Sequence, residues 1–324
     1  MNNIFSNKFY ILNYFFSINI IFIYLINEKK KKLILNTLNY KENRNNINHS
    51  NYKIIGISYA NEIYSKQLSY CEKSALETGK VDHFYSYGPK DIDIEFKLSN
   101  NDILGRNRGN GYWLWKPYFI FKTLKEKLRE GDYLIYTDAT VLYKNNVHIL
   151  IEFLIKKNED MWFYKNKYKE KIYAKRDAFI LMGADNQFYS ETFSYNAAFQ
   201  IYKKSQFSMK FVNDYLYYGK DKRIITDDKN TLSINNYEGF IDHRHDQTIL
   251  SLLIKKYNLA NSGKPNINYS IINKIDSEMP FIFCHYRRLK FRNYSELKQL
   301  CNNTNKNGIP LLGKTIIKTN NKTI

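Results

Sequence analysis

The chain has 324 residues, enough for one large α/β domain or two small ones. Hydrophobic residues make up 44% and aromatic residues 16%, ample for a packed core, and no repeat of solenoid or propeller period is present. The net charge of +19 suits nucleic acid, an anionic membrane or a phosphate-bearing ligand. However, no zinc-finger spacing exists and the aromatic residues follow no nucleic-acid recognition pattern, so no nucleic-acid partner is expected.

Residues 9–26 form a nearly continuous apolar run, interrupted by Asn13, Ser17 and Asn19. Eighteen residues is near the lower limit for a membrane-spanning helix, and no small-residue cleavage site follows, which favours a retained single-pass anchor over a removed signal. Lys29 to Lys32 come next and, by the positive-inside tendency, place the following domain on the cytoplasmic face. An anchor of Golgi type would place it in the lumen instead. Residues 27–50 are polar and Asn-rich and read as a flexible stem, so residues 1–50 form an anchor and stem.

The globular domain is expected over residues 51–300. Residues 53–60 read as an apolar strand. A helix follows from about Ser65, with Leu68, Cys71 and Ala75 on one face and Gly79 at its end. A second strand runs from Phe84 to Tyr87, before Gly88-Pro89. This strand–helix–strand opening fits a parallel α/β sheet.

Residues 105–117 read Gly-Arg-Asn-Arg-Gly-Asn-Gly-Tyr-Trp-Leu-Trp-Lys-Pro. Arg106 and Arg108 offer charged forks, and Gly109 and Gly111 allow close backbone approach, so this loop can hold an anionic ligand. Pro117 suits the first position of a helix. Tyr118, Phe121, Leu124 and Leu128 then give one apolar face, and Gly131 is a stop. Residues 133–136 are a wholly buried type of strand, which delivers Asp138 to the carboxyl end of a sheet, where open α/β folds place ligands. Asp138 either begins an ordinary turn or faces such a ligand.

Farther on, residues 145–155 read as a helix, 160–164 as a strand, 165–175 as a basic connection and 220–236 as a loop. Residues 194–206 carry Asn196 within a run of small and apolar residues. The sequence Asp242-His243-Arg244-His245-Asp246-Gln247-Thr248 precedes the periodic residues Ile249, Leu250, Leu253, Ile254 and Tyr257. Asp246 thus falls in the first turn of a helix, where a carboxylate either caps the dipole or works between two imidazoles as a base. Residues 281–288 are an apolar strand ending in His285, followed by Tyr286 and the paired Arg287 and Arg288. The three cysteines, Cys71, Cys284 and Cys301, are too widely spaced for a metal site and read as three reduced thiols, with a Cys284–Cys301 bridge as the alternative for a lumenal domain. Residues 301–324 read as a disordered tail.

From about Tyr52 to Lys290 the sequence resembles the GT-A-type glycosyltransferases, the enzymes that use nucleotide sugars. More narrowly, it resembles sugar transferases distantly related to family 8, which carry an Arg-rich Gly-Tyr-Trp-x-Trp-Lys-Pro segment before a Tyr-x-Asp strand end. The resemblance implies an α/β fold of GT-A (Rossmann-like) type, a mixed sheet flanked by helices. It implies a glycosyltransferase, a hexosyltransferase in particular, that moves a sugar from a nucleotide-sugar donor to a glycan, protein or lipid acceptor. On that pattern Asp246 and His245 are catalytic, and Arg106, Arg108, Lys116, Asp138, Gln247, Arg287 and Arg288 bind the donor. Tyr59, Ala60 and, more remotely, Asn196 would border it. The strand-end aspartate of such enzymes belongs to a two-aspartate motif that binds a divalent metal. Here residues 136–140 hold a single acid, so Mn or Mg at Asp138 would need His285 and donor oxygens beside it. The reading of a different class is a non-enzymatic, membrane-anchored basic adaptor or a nucleic-acid-binding protein.

Overall fold

The computed structural model describes residues 52–259, 282–286 and 290–302. The apolar run at 9–26, the lysine cluster, the expected stem, Arg287, Arg288 and residues 303–324 lie outside the described residues. Among the described residues no helix is long and apolar enough to cross a membrane.

The fold is a mixed α/β sheet covered by helices on both faces. In chain order the strands are β1 (Ile54–Tyr59), β2 (His83–Tyr87), β3 (Tyr133–Thr137), β4 (Val141–Tyr143), β5 (Met161–Lys169), β6 (Phe193–Lys203) and β7 (Phe283–His285). The helices of eight or more residues are α1 (Ser65–Ser74), α2 (Trp115–Glu126), α3 (His148–Lys157), α4 (Gln206–Gly219), α5 (His245–Lys256) and α6 (Tyr294–Asn302). The main sheet has the order β2-β1-β3-β6-β5; β1 runs parallel to β2 and β3, while β6 runs antiparallel to both β3 and β5. β4 and β7 form a separate antiparallel pair.

β1 and β3 are buried throughout because they are covered on both faces. Their side chains still alternate. Ile54, Tyr133 and Ile135 pack with Cys71 of α1 and with Leu150, Ile151 and Leu154 of α3. Ile55, Ile57, Leu134 and Tyr136 pack on the opposite face, with α2, α4 and α5. Local chemistry sets several boundaries. α4 is capped by Ser205, whose hydroxyl accepts the Ser208 N–H at 3.1 Å while the Ser208 hydroxyl accepts the Ser205 N–H at 3.1 Å. α2 starts two residues before the expected position, so Pro117 is its third residue; first-turn N–H groups have no partner in the helix, and the ring is tolerated there. β5 continues to Lys169, through the first part of the expected basic connection, because it pairs along the long β6.

Two buried polar arrangements tie down the segments outside the sheet. Lys255 and Glu170, each 2% exposed, pair at 2.7 Å. The expected loop at 220–236 contains a short helix, Lys222–Ile225, and is then tied down by the buried Asp177. That carboxylate accepts the Thr231 N–H at 2.6 Å and hydroxyl at 2.8 Å, and the Leu232 N–H at 3.3 Å.

The reading of three reduced thiols is corrected. Cys284 and Cys301 form a disulfide, and Cys71 alone is free and buried. β7 and α6 meet in a small cluster with Leu142, Tyr286 and Leu297, which brings the two cysteine Cα atoms to 5.9 Å, within bonding range. α6 extends to Asn302 and buries Leu297 and Cys301.

Candidate active site

Chain connections leave β1 toward β2 on one side, while β3 lies on the other. This order makes the crevice beyond the carboxyl ends of β1 and β3 a switch point, the place where open α/β sheets bind ligands. A cavity of about 320 Å³ opens there. Tyr59 and Ala60 from the end of β1, and Asp138 and Thr140 from the turn after β3, line it, with Asn110 and Trp113 from the glycine-rich loop. Its walls are thus aromatic and its polar groups few and convergent, which suits a ring-bearing polar ligand.

The loop takes an unusual backbone path. Gly109, Asn110, Gly111, Tyr112 and Trp113 all have positive φ, between 50° and 93°, and form one left-handed turn. Tyr112 N–H donates to Arg108 O at 2.8 Å and Trp113 N–H to Gly109 O at 3.3 Å. Left-handed turns cost L-residues about 1–2 kcal/mol each, and such strain gathers at functional sites. Glycine is required twice. A Cβ on Gly109 would lie 2.3 Å from the Trp113 ring, and one on Gly111 2.7 Å from Leu104 Cα. The turn seats the Trp115 indole on Tyr59, stacked at 3.9 Å, and lets its N–H donate to Gly109 O at 2.9 Å.

Below the cavity lies a buried charge cluster. The Lys116 ammonium sits 2.7 Å from Asp246 Oδ2, 3.3 Å from Asp138 Oδ1 and 3.3 Å from Ala197 O. The Tyr136 hydroxyl donates to Asp138 Oδ1 at 2.7 Å and the Tyr215 hydroxyl to Asp246 Oδ2 at 3.3 Å. Lys116 and Asp246 are enclosed, whereas the Asp138 side chain is 31% exposed. Burial opposes the ionised form of Asp138, but Lys116, His285 and Tyr136 outweigh it and hold its carboxyl below the usual range. Burial dominates at Asp246 and raises its carboxyl despite Lys116, with Asp138 adding to the rise. The two acids are thereby driven apart, Asp138 ionised toward the cavity and Asp246 behind it.

The sequence candidates divide among several places. Asp138, Lys116 and Asp246 come together. Arg106 and Arg108 do not line the cavity; their neighbours Asn107, Gly109 and Asn110 do. The arginines cross instead to residues 227–228, with Arg108 Nη1 2.8 Å from Asp227 Oδ2 and Arg106 Nη2 3.7 Å from Asp228 Oδ2. His245 does not join Asp246. Its Nδ1 contacts Ile225 O at 2.8 Å, and its ring lies against Trp113, Tyr112 and His243. Burial holds the His245 imidazole down at about 4 and drives His243 well below its usual value, so both rings are neutral. Gln247 is partly buried in the first turn of α5. His285 ends β7 with Nε2 3.1 Å from Thr140 Oγ1. Asn196 turns its side-chain oxygen to the Ala198 N–H at 2.7 Å. Sequence reasoning passed over Asp227, Asp228 and Tyr215; the adjacent acids in a strongly basic chain were the available signal.

The donor set does not suit a divalent metal. Such an ion needs several oxygen ligands, and among the described residues no group of three His, Cys, Asp or Glu side chains converges to hold one. The expected pair, Asp138 and His285, has Asp138 Oδ1 engaged by Lys116 and Tyr136, and His285 Nε2 at Thr140.

No family model and no curated protein matches the chain. Among solved structures it is similar to the bifunctional glycosyltransferase WbbM in its apo form, at 11% identity and a TM-score of 0.38, over 64% of this chain and 38% of that one. It is similar to apo mouse xyloside xylosyltransferase 1, at 9% identity and a TM-score of 0.38, over 73% of this chain and 98% of that one. It is also similar to an active-site mutant of LgtC, at 11% identity and a TM-score of 0.40, over 76% and 94% of the two chains.

Proposed function

We propose that the chain is a glycosyltransferase, a hexosyltransferase in particular. It would take a sugar from a nucleotide-diphosphate donor in the β1–β3 crevice and pass it to a glycan, protein or lipid acceptor. One observation carries the reading: the ionised Asp138 meets a cavity walled by Tyr59, Trp113 and Trp115 at the switch point of the sheet. Aromatic faces suit the C–H face of a sugar or a base, and Asn110, Asp138 and Thr140 suit its hydroxyls. Arg106 and Arg108, on the loop that borders this cavity and facing Asp228 and Asp227 there, would turn from those carboxylates to a departing diphosphate, whose developing charge is the main demand of the reaction.

In this reading the protein is anchored in a membrane by residues 9–26. The Cys284–Cys301 bridge favours an oxidising compartment, hence the lumenal or outer side over the cytoplasmic face. The test is release of nucleoside diphosphate, and transfer of sugar, from a panel of UDP-, GDP- and CDP-sugars by the full chain. Turnover abolished by Asp138→Asn supports the reading. Absence of turnover with every donor, or turnover indifferent to Asp138→Asn, would sink it.

A further inference from the structure

We propose that Lys116 is a built-in counter-cation, a positioning residue that supplies the charge the Asp138–Asp246 pair requires, so that nucleotide binds here without a divalent metal. The inference rests on the donor reading above for the identity of the ligand, and on geometry for the role of the lysine.

An ammonium has three N–H donors. Three oxygens surround Lys116 Nζ, one each from Asp246, Asp138 and Ala197. They come from three elements: the start of α5, the turn after β3, and β6. Lys116 itself stands in the first turn of α2, directly after the strained loop. The remaining surroundings are aromatic, with Nζ 5.2 Å from the Tyr136 ring centroid and 5.8 Å from that of Trp115. Rings favour an organic cation through their faces but give a hard dication no oxygen. Lys116 is 3% exposed, so it does not reach a ligand itself. Its effect passes through Asp138, whose Oδ1 it and Tyr136 hold while the side chain stays partly open to the cavity. A dication placed at Asp138 would also sit close to a fixed positive charge, which opposes its binding.

Binding of Mn²⁺ to the full chain, followed by electron paramagnetic resonance with and without UDP or GDP, tests this without any turnover. UDP and GDP affinities, measured by calorimetry in EDTA and in Mn²⁺, form the second arm. Wild type should leave the Mn²⁺ free and bind nucleotide with affinities within about twofold in the two conditions. Lys116→Met removes the cation and keeps the bulk, so Mn²⁺ binding should strengthen about tenfold or more, and Lys116→Met/Asp246→Asn should abolish the gain. Mn²⁺ bound by wild type and lost in Asp138→Asn overturns the inference, as does nucleotide affinity that collapses in EDTA. A Lys116→Met chain that fails to fold leaves the wild-type arms to decide. If wild type binds neither nucleotide, the donor reading fails, while the Mn²⁺ arm with Asp138→Asn still decides the role of Lys116.

Discussion

The Arg108 guanidinium lies 2.8 Å from the Asp227 carboxylate, whose other oxygen accepts the Tyr112 hydroxyl. The contact ties the strained glycine-rich turn to the segment that Asp177 holds in place. It also means that the loop arginines already face carboxylates, which an incoming diphosphate would have to displace. Asp227→Asn should therefore tighten UDP or GDP binding severalfold, and Arg108→Ala should weaken it by up to about tenfold, the smaller end of a charge-assisted bond because both groups are partly exposed. Calorimetry on the two variants checks the opposite signs; equal effects in the same direction would refute the competition.

The left-handed turn makes its own prediction. Gly111→Ala places a Cβ against the Leu104 backbone at a φ of 93°. It should lose about 2 kcal/mol or more of stability, from the conformational cost alone upward. A denaturant titration reads the loss. The exposed Gly239, which has open space around its Cβ position, provides the control for positive φ without a clash.

Stability should depend on pH through His245 and His243. Burial keeps His245 neutral down to about 4, against an ordinary value of 6.5. Between those values the unfolded chain binds more protons than the folded one. Stability is therefore fully present above pH 6.5 and falls as pH drops toward 4, by about 1–3 kcal/mol for this residue. His245→Gln should make thermal unfolding less sensitive to pH across that window, with His243 supplying the dependence that remains. An unchanged slope would show that the ring titrates freely.

The Cys284–Cys301 bridge joins β7, which carries His285 beside Thr140, to α6. Loss of a bridge with a sequence separation of 17 should cost about 3 kcal/mol by constraint of the unfolded chain. A dithiol reductant should lower the melting temperature of wild type, and leave Cys301→Ser, already lowered, unmoved. Equal responses of the two proteins would mean that the bridge does not form.

What the sequence determined by itself was local. The apolar runs of β1 and β3, the 3.6-residue spacing in α2 and α5, and the need for glycine in a tight loop each follow from neighbouring residues, so Asp138 at a strand end and Asp246 in a helix first turn were legible. The tertiary structure alone decided which charges meet. Lys116 read as a cation for a diphosphate because pattern shows residue type and not burial; the packing of α2 against β3, β6 and α5 closed it between two carboxylates instead. His245 read as a partner of Asp246, but the backbone at its positive φ of 48° carries the ring toward Ile225 and Trp113. Asp227 and Asp228 stood in a segment without periodicity, where no local signal says what a carboxylate will face. Long-range pairing of opposite charges is settled by the fold, because Coulomb attraction and desolvation depend on distances and enclosure that sequence neighbours do not fix.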